Sequence, residues 1–99
     1  MYSGRKKKFN KFERKIEAEI DLHGLMLKDA QVEFVNLLEK SLSGDLKRVK
    51  IITGKGLHSV NGIGVIKNMV TDILKAHKIK YREGKPEEGG GGVVIADLV

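Results

Sequence analysis

Residues 18–53 carry the pattern that most restricts the fold: a strand, an amphipathic helix and a second strand. Ala18-Glu19-Ile20-Asp21-Leu22 alternates apolar and polar residues, a period of two that reads as a β-strand with Ile20 and Leu22 on one face. From Leu27 to Leu42 the period changes. Leu27, Ala30, Phe34, Leu37, Leu38 and Leu42 recur at helical spacing and predict one apolar face. Ser43-Gly44 supplies the stop, with Gly44 expected as a left-handed cap. The start lacks such a signal, since Met26 stands where a Ser or Thr cap belongs. Arg48 to Thr53, with Val49, Ile51 and Ile52, suits a buried strand of a parallel sheet. Such a unit has a right-handed crossover, and parallel neighbours bring both strand ends to one sheet edge.

The remainder follows the same rules. Gly64 to His77 predicts a second helix, with Val65, Ile66, Met69, Val70, Ile73 and Leu74 inward and Lys67, Asp72 and Lys75 outward. His77 closes that helix and reads as structural. Lys78 to Arg82 and Val93 to Val99 predict two further strands, paired antiparallel. Gly84 to Gly92, with Pro86 and four consecutive glycines, reads as a loop. The order β-α-β-α-β-β defines an α/β chain, a two-layer α+β sandwich of a four-stranded mixed sheet with two helices on one face.

Charge is unevenly placed. Of the net +6, residues 1–17 hold seven Lys/Arg against Glu13 and Glu17, whereas residues 18–99 hold twelve basic against eleven acidic residues. Residues 1–17 are therefore a basic tail on a near-neutral domain of residues 18–99, with its first residues expected to be mobile. Such a tail suits a polyanion, nucleic acid or the ribosome, or else a solvated terminus that aids solubility. Phe9, Phe12 and Ile16 share one helical stripe that would let part of it dock on the domain. With no cysteine, disulfides and thiolate metal sites are excluded. No apolar run reaches the length of a membrane span and no secretory signal follows the charged start, so a cytoplasmic monomer without membrane contact is expected.

Two motifs end the first two strands: Asp21-Leu22-His23-Gly24 and Thr53-Gly54-Lys55-Gly56. The second is not a phosphate-binding P-loop, because Lys55 is followed by Gly56, nor a dinucleotide fingerprint, because its sixth position is Ser59. Its glycines let backbone N–H groups approach an anion, and Lys55 adds a full charge beside a helix start. That describes a phosphate site or, equally, a tight strand-to-helix connection. His23 is open to a catalytic or a structural reading. Asp21, two residues earlier, can orient the imidazole or cap the following turn. Three histidines without His-x-x-x-His spacing argue against zinc. A hydrated Mg²⁺ or Mn²⁺ touching Asp21 stays open, since hard ions need few protein ligands.

Together these motifs, the intervening helix and the glycine-rich loop before the last strand resemble the Smr (small MutS-related) domain, over about residues 18–99. Gly56-Leu57-His58-Ser59, with Gly62 and Lys67, resembles a His-Ser variant within that family. Ile20 stands where the family pattern has Leu, and Thr53 where it often has His, which removes one candidate imidazole. The resemblance implies a sandwich akin to the C-terminal domain of translation initiation factor three. It also implies nucleic-acid binding and, in many members, endonuclease activity on DNA or RNA, some of it at stalled ribosomes. Members often end larger proteins; this chain reads as a stand-alone one.

The expected chemistry is phosphodiester cleavage in single-stranded or distorted nucleic acid, RNA before DNA. Asp21, His23 and His58 are the catalytic candidates: His23 as general base or acid, Asp21 orienting it, His58 as second proton-transfer group. Thr53, Gly54, Lys55, Gly56, Ser59 and Lys67 are the candidate phosphate-binding residues. The rival reading is a module that grips the backbone without cutting it. Few aromatics are available for stacking, so backbone recognition is expected in either case.

Overall fold

The computed structural model describes residues 15–54 and 64–98. Strand β1 (Ala18–Asp21) leads to helix α1 (Leu27–Ser43) and strand β2 (Arg48–Ile52). Helix α2 (Val65–Ala76) precedes strands β3 (Lys80–Glu83) and β4 (Val93–Asp97). The sheet order is β1-β2-β4-β3. β1 and β2 are parallel, with Asp21 opposite Ile52, while β4 runs antiparallel to both β2 and β3. The mixed four-stranded sheet expected from the sequence is present, and the last strand is inserted between β2 and β3. Its burial explains that central place, as Val93 through Ala96 are all buried.

One core joins both helices to one sheet face. Val49, Ile51, Val94 and Ala96 meet Ala30, Phe34 and Leu38 of α1 and Ile66, Val70 and Leu74 of α2. Each Val, Leu, Ile or Phe among them contributes about 1.5–3 kcal/mol on full burial. The other sheet face carries charged side chains that pair with one another, Arg48 Nε with Asp97 at 2.7 Å and Lys50 with Glu19 at 4.0 Å.

Several expected details are corrected. Leu27 and Leu42 lie 44% and 43% exposed, outside the core stripe of Ala30, Phe34, Leu38 and Ser41. Leu27 stands in the first turn of α1 and Leu42 in the last, at the two ends of that stripe. Val65, expected to face inward on α2, is also exposed. Gly44 is not left-handed (φ −89°); Asp45 (φ 59°) makes that turn, an αL position that aspartate tolerates. Lys78 (φ 58°) likewise turns the chain after α2, so β3 starts at Lys80 and extends to Glu83. β1 ends at Asp21, β2 at Ile52 and β4 at Asp97, each short of its expected end. The Gly84–Gly92 stretch is not wholly irregular: Pro86–Glu88 and Gly90–Gly92 form 3₁₀ turns. The Phe9 and Phe12 stripe lies outside the described residues, and Ile16 is exposed.

Ser41 is the buried polar residue of α1 whose hydroxyl lacks a hydrogen-bond partner. Ser41→Ala should therefore raise stability by about 1 kcal/mol, read from the midpoint of urea unfolding.

Candidate functional site

Parallel pairing of β1 and β2 places both motifs side by side, and the Leu22 N–H bond to the Ile52 carbonyl (2.7 Å) continues the pairing beyond the strand. Leu22 is fully buried. It anchors the backbone between two outward residues, so the Asp21 and His23 side chains emerge together, 50% and 65% exposed. Gly24 (φ 80°) then reverses the chain, with Leu25 N–H bonding back to the Leu22 carbonyl at 3.2 Å.

Both roles left open for Asp21 occur at once. Its Oδ1 accepts from the backbone N–H of His23 at 3.1 Å and lies 2.5 Å from His23 Nδ1. The side-chain bond from His23, and then the backbone bond, hold the Asp21 carboxyl below its ordinary value. An ionised carboxylate only accepts, so Nδ1 carries the proton and Nε2 is the ring's acceptor nitrogen.

Gly54 completes the contact between the motifs. Its φ of 81° suits glycine, and a Cβ there would stand 3.3 Å from His23 Cβ. The Thr53-Gly54 end is held by one acceptor: the Gly92 carbonyl receives Thr53 N–H (2.8 Å), Gly54 N–H (3.0 Å) and the Thr53 hydroxyl (3.3 Å). Thr53 is 5% exposed, and its hydroxyl also donates to the Gly54 carbonyl at 3.2 Å. Its side chain is thus turned into the protein and its hydroxyl bonds the backbone. Lys67 Nζ donates to Glu83 Oε2 and, at 3.3 Å, to the Gly91 carbonyl. Lys55, Gly56, His58 and Ser59 lie outside the described residues. His77 Nδ1 is 2.9 Å from the Ile73 carbonyl, in the capping place of α2.

The glycine-rich turn was not legible as part of the site. Gly91 and Gly92 act through carbonyls, which leave no mark in a side-chain pattern, and Glu83 resembles any exposed strand-end carboxylate. A second clamp fixes the same turn: Arg82 donates to Glu88 at 2.8 and 3.2 Å, and Glu88 also accepts from Lys85 N–H at 2.7 Å. These bonds lower the Glu88 carboxyl from 4.5 to about 2. Stability from this clamp is therefore complete above pH 4.5 and lost as pH falls toward 2. Glu88→Gln should cost about 1 kcal/mol at neutral pH, after allowance for solvent screening, and flatten that acid limb of the urea-melt stability profile.

Among the described residues no three His, Asp or Glu side chains gather as a metal cage. Asp21 is the carboxylate that a hydrated Mg²⁺ or Mn²⁺ would touch, because such ions take one or two protein carboxylates and keep their waters. The open edge, with the imidazole largely in solvent, suits a polymer backbone better than an enclosed small molecule.

The sequence matches the Smr domain over residues 20–99. The chain belongs to the Smr domain family. It is 35% identical over 94 residues to the endonuclease MutS2 of Clostridium botulinum, covering 93% of this chain and 11% of that protein. It is 34% identical over 80 residues to the endonuclease NBR9 of Saccharomyces cerevisiae, covering 81% of this chain and 32% of that one. The chain thus spans about a tenth to a third of these relatives. The Smr domain of Thermus thermophilus MutS2 superposes with a TM-score of 0.70 at 26% identity, over 83% of this chain and 98% of that domain. The human small-MutS related domain does so at 0.63 and 30% identity, over 81% and 99%. Smr domains bind nucleic acid, and among the described residues no helix is long and apolar enough to cross a membrane.

Proposed function

We propose that this Smr domain is an endonuclease that cleaves phosphodiester bonds in single-stranded or distorted nucleic acid, RNA in preference to DNA. The observation that carries this reading is the Asp21–His23 pair, solvent-facing and seated against Gly54 at the sheet edge. The endonuclease names of the MutS2 and NBR9 relatives support it.

His23 Nε2 takes the proton of a ribose 2′-hydroxyl while Asp21 holds the opposite nitrogen. The 2′-oxygen then attacks phosphorus, and the bond to the 5′-oxygen breaks. The leaving oxygen takes a proton from a second donor, the part we assign to His58. The products are a 2′,3′-cyclic phosphate and a 5′-hydroxyl. Lys55, Gly56, Ser59 and Lys67 are assigned to the phosphates, as cations and N–H donors near developing charge, whereas the Thr53 and Gly54 amides are engaged by the Gly92 carbonyl and shape the edge. We assign the basic residues of the first 17 to longer-range attraction of RNA or a ribosome.

The test is cleavage of a labelled single-stranded RNA and its DNA counterpart in Mg²⁺, Mn²⁺ or EDTA. Cleavage of the RNA is expected with the DNA counterpart left intact, since DNA lacks the attacking 2′-hydroxyl, and persistence of RNA cleavage in EDTA would assign the chemistry to the protein's own groups. Binding without cleavage in every condition would make the domain a module that grips nucleic acid for another enzyme.

A further inference from the structure

We propose that Glu83 is an internal stand-in for a nucleic-acid phosphate: it holds the Lys67 ammonium at the edge of the site and releases it when a bound strand arrives. This rests on the nucleic-acid reading of the site above. Lys67 stands in the first turn of α2, with Glu83 Oε2 and the Gly91 carbonyl as its two acceptors. The next carbonyl along the chain, that of Gly92, binds the Thr53 and Gly54 amides. The ammonium is therefore bonded one peptide unit away from the group that holds Gly54 beside His23.

Its two acceptors differ in kind. The Gly91 carbonyl belongs to a 3₁₀ turn and is fixed by the backbone. Glu83 ends β3 and its side chain is 61% exposed, against 26% for Lys67. An ion pair that open to water is weak, so the carboxylate can leave at little cost. The Arg82–Glu88 pair makes the contrast. There the acid takes both guanidinium bonds and a backbone N–H, an arrangement with three bonds to break. In the Lys67 pair only one contact must be exchanged, while Gly91 keeps the ammonium in place.

Charge makes the exchange consequential. The described residues hold twelve basic and twelve acidic side chains, so they offer a polyanion no net attraction. Asp21 and Glu83 lie at the same edge and both repel phosphate. A pre-placed lysine whose carboxylate can be swapped for a phosphate gives the edge one specific point of attachment, and Glu83 limits its strength.

The measurement is fluorescence anisotropy with a short labelled single-stranded RNA across a salt series, on the full chain. Glu83→Gln should bind about two- to fivefold more tightly than wild type. Lys67→Met should bind more weakly and lower the salt slope by about 0.7. In the Lys67→Met background, Glu83→Gln should bring no gain, and Glu87→Gln, which removes the same charge outside the pair, should change affinity less. Unchanged melting temperatures establish that the variants are folded. A Glu83→Gln variant no tighter than wild type overturns the exchange, as does a gain that persists undiminished without Lys67. A wild-type chain that binds no nucleic acid overturns the functional reading and this inference together, whereas intact binding with an inert Glu83→Gln overturns this inference alone.

Discussion

His23→Ala is expected to slow RNA cleavage by about 10²–10⁴-fold, while RNA affinity stays within about threefold of wild type. The split follows from where the side chain sits. The imidazole is largely in solvent and bonded to Asp21, with Gly54 facing the His23 Cβ rather than the ring, so its removal opens no cavity in the core. What is lost is a proton-transfer group, which acts on the transition state rather than on the bound strand. Asp21→Asn should give a smaller loss of the same kind. The amide can still accept from Nδ1–H, but it no longer holds that tautomer by charge. The sign of the pH effect follows from the lowered Asp21 carboxyl. The oriented pair is intact above the ordinary carboxyl value of 3.8 and fails only as pH falls through the lowered one. Single-turnover rates beside anisotropy on the same variants separate chemistry from binding.

Gly89→Ala should have the largest effect on stability among the loop glycines, about 2–4 kcal/mol, whereas Gly91→Ala should stay within about 0.5 kcal/mol. Both stand in the same run of four glycines, and composition alone cannot separate them. At Gly89 φ is 116°, and an added Cβ would lie 2.5 Å from Val93 Cγ2, a side chain locked in the sheet. At Gly91 φ is unremarkable and nothing lies within 4 Å of the new atom. Val93 is buried beside Ile52 and begins the strand that runs down the middle of the sheet. Pushing it displaces the Gly92 carbonyl that fixes Thr53 and Gly54. Urea melts should show the midpoint shift, and Gly89→Ala should also reduce cleavage beyond the fraction unfolded.

The βαβ unit was legible because its signals are local. A change of apolar period from two to about 3.6 and back marks strand, helix and strand without reference to tertiary contacts. The meeting of the two motifs was legible for the same reason, since parallel strands must deliver their carboxyl ends to one edge. What the residues could not reveal came from elsewhere in the chain. Leu27 and Leu42 fit the helical stripe but stand in the first and last turns of α1, and each is more than two-fifths exposed. The place of β4 between β2 and β3 depends on non-local pairing. At the site, the Asp21–His23 spacing was visible, but Thr53 turning inward to a glycine carbonyl was not. Lys67 was expected to bind phosphate, and the carboxylate that now occupies it belongs to a strand 16 residues away.

The most direct measurement is the chemistry of the ends left by the wild-type chain on a labelled RNA. Wild type should leave 2′,3′-cyclic phosphate and 5′-hydroxyl ends, absent from reactions with His23→Ala. Ends bearing a 5′-phosphate, or cleavage that survives without His23, would contradict an Asp21–His23 centre acting through the 2′-hydroxyl.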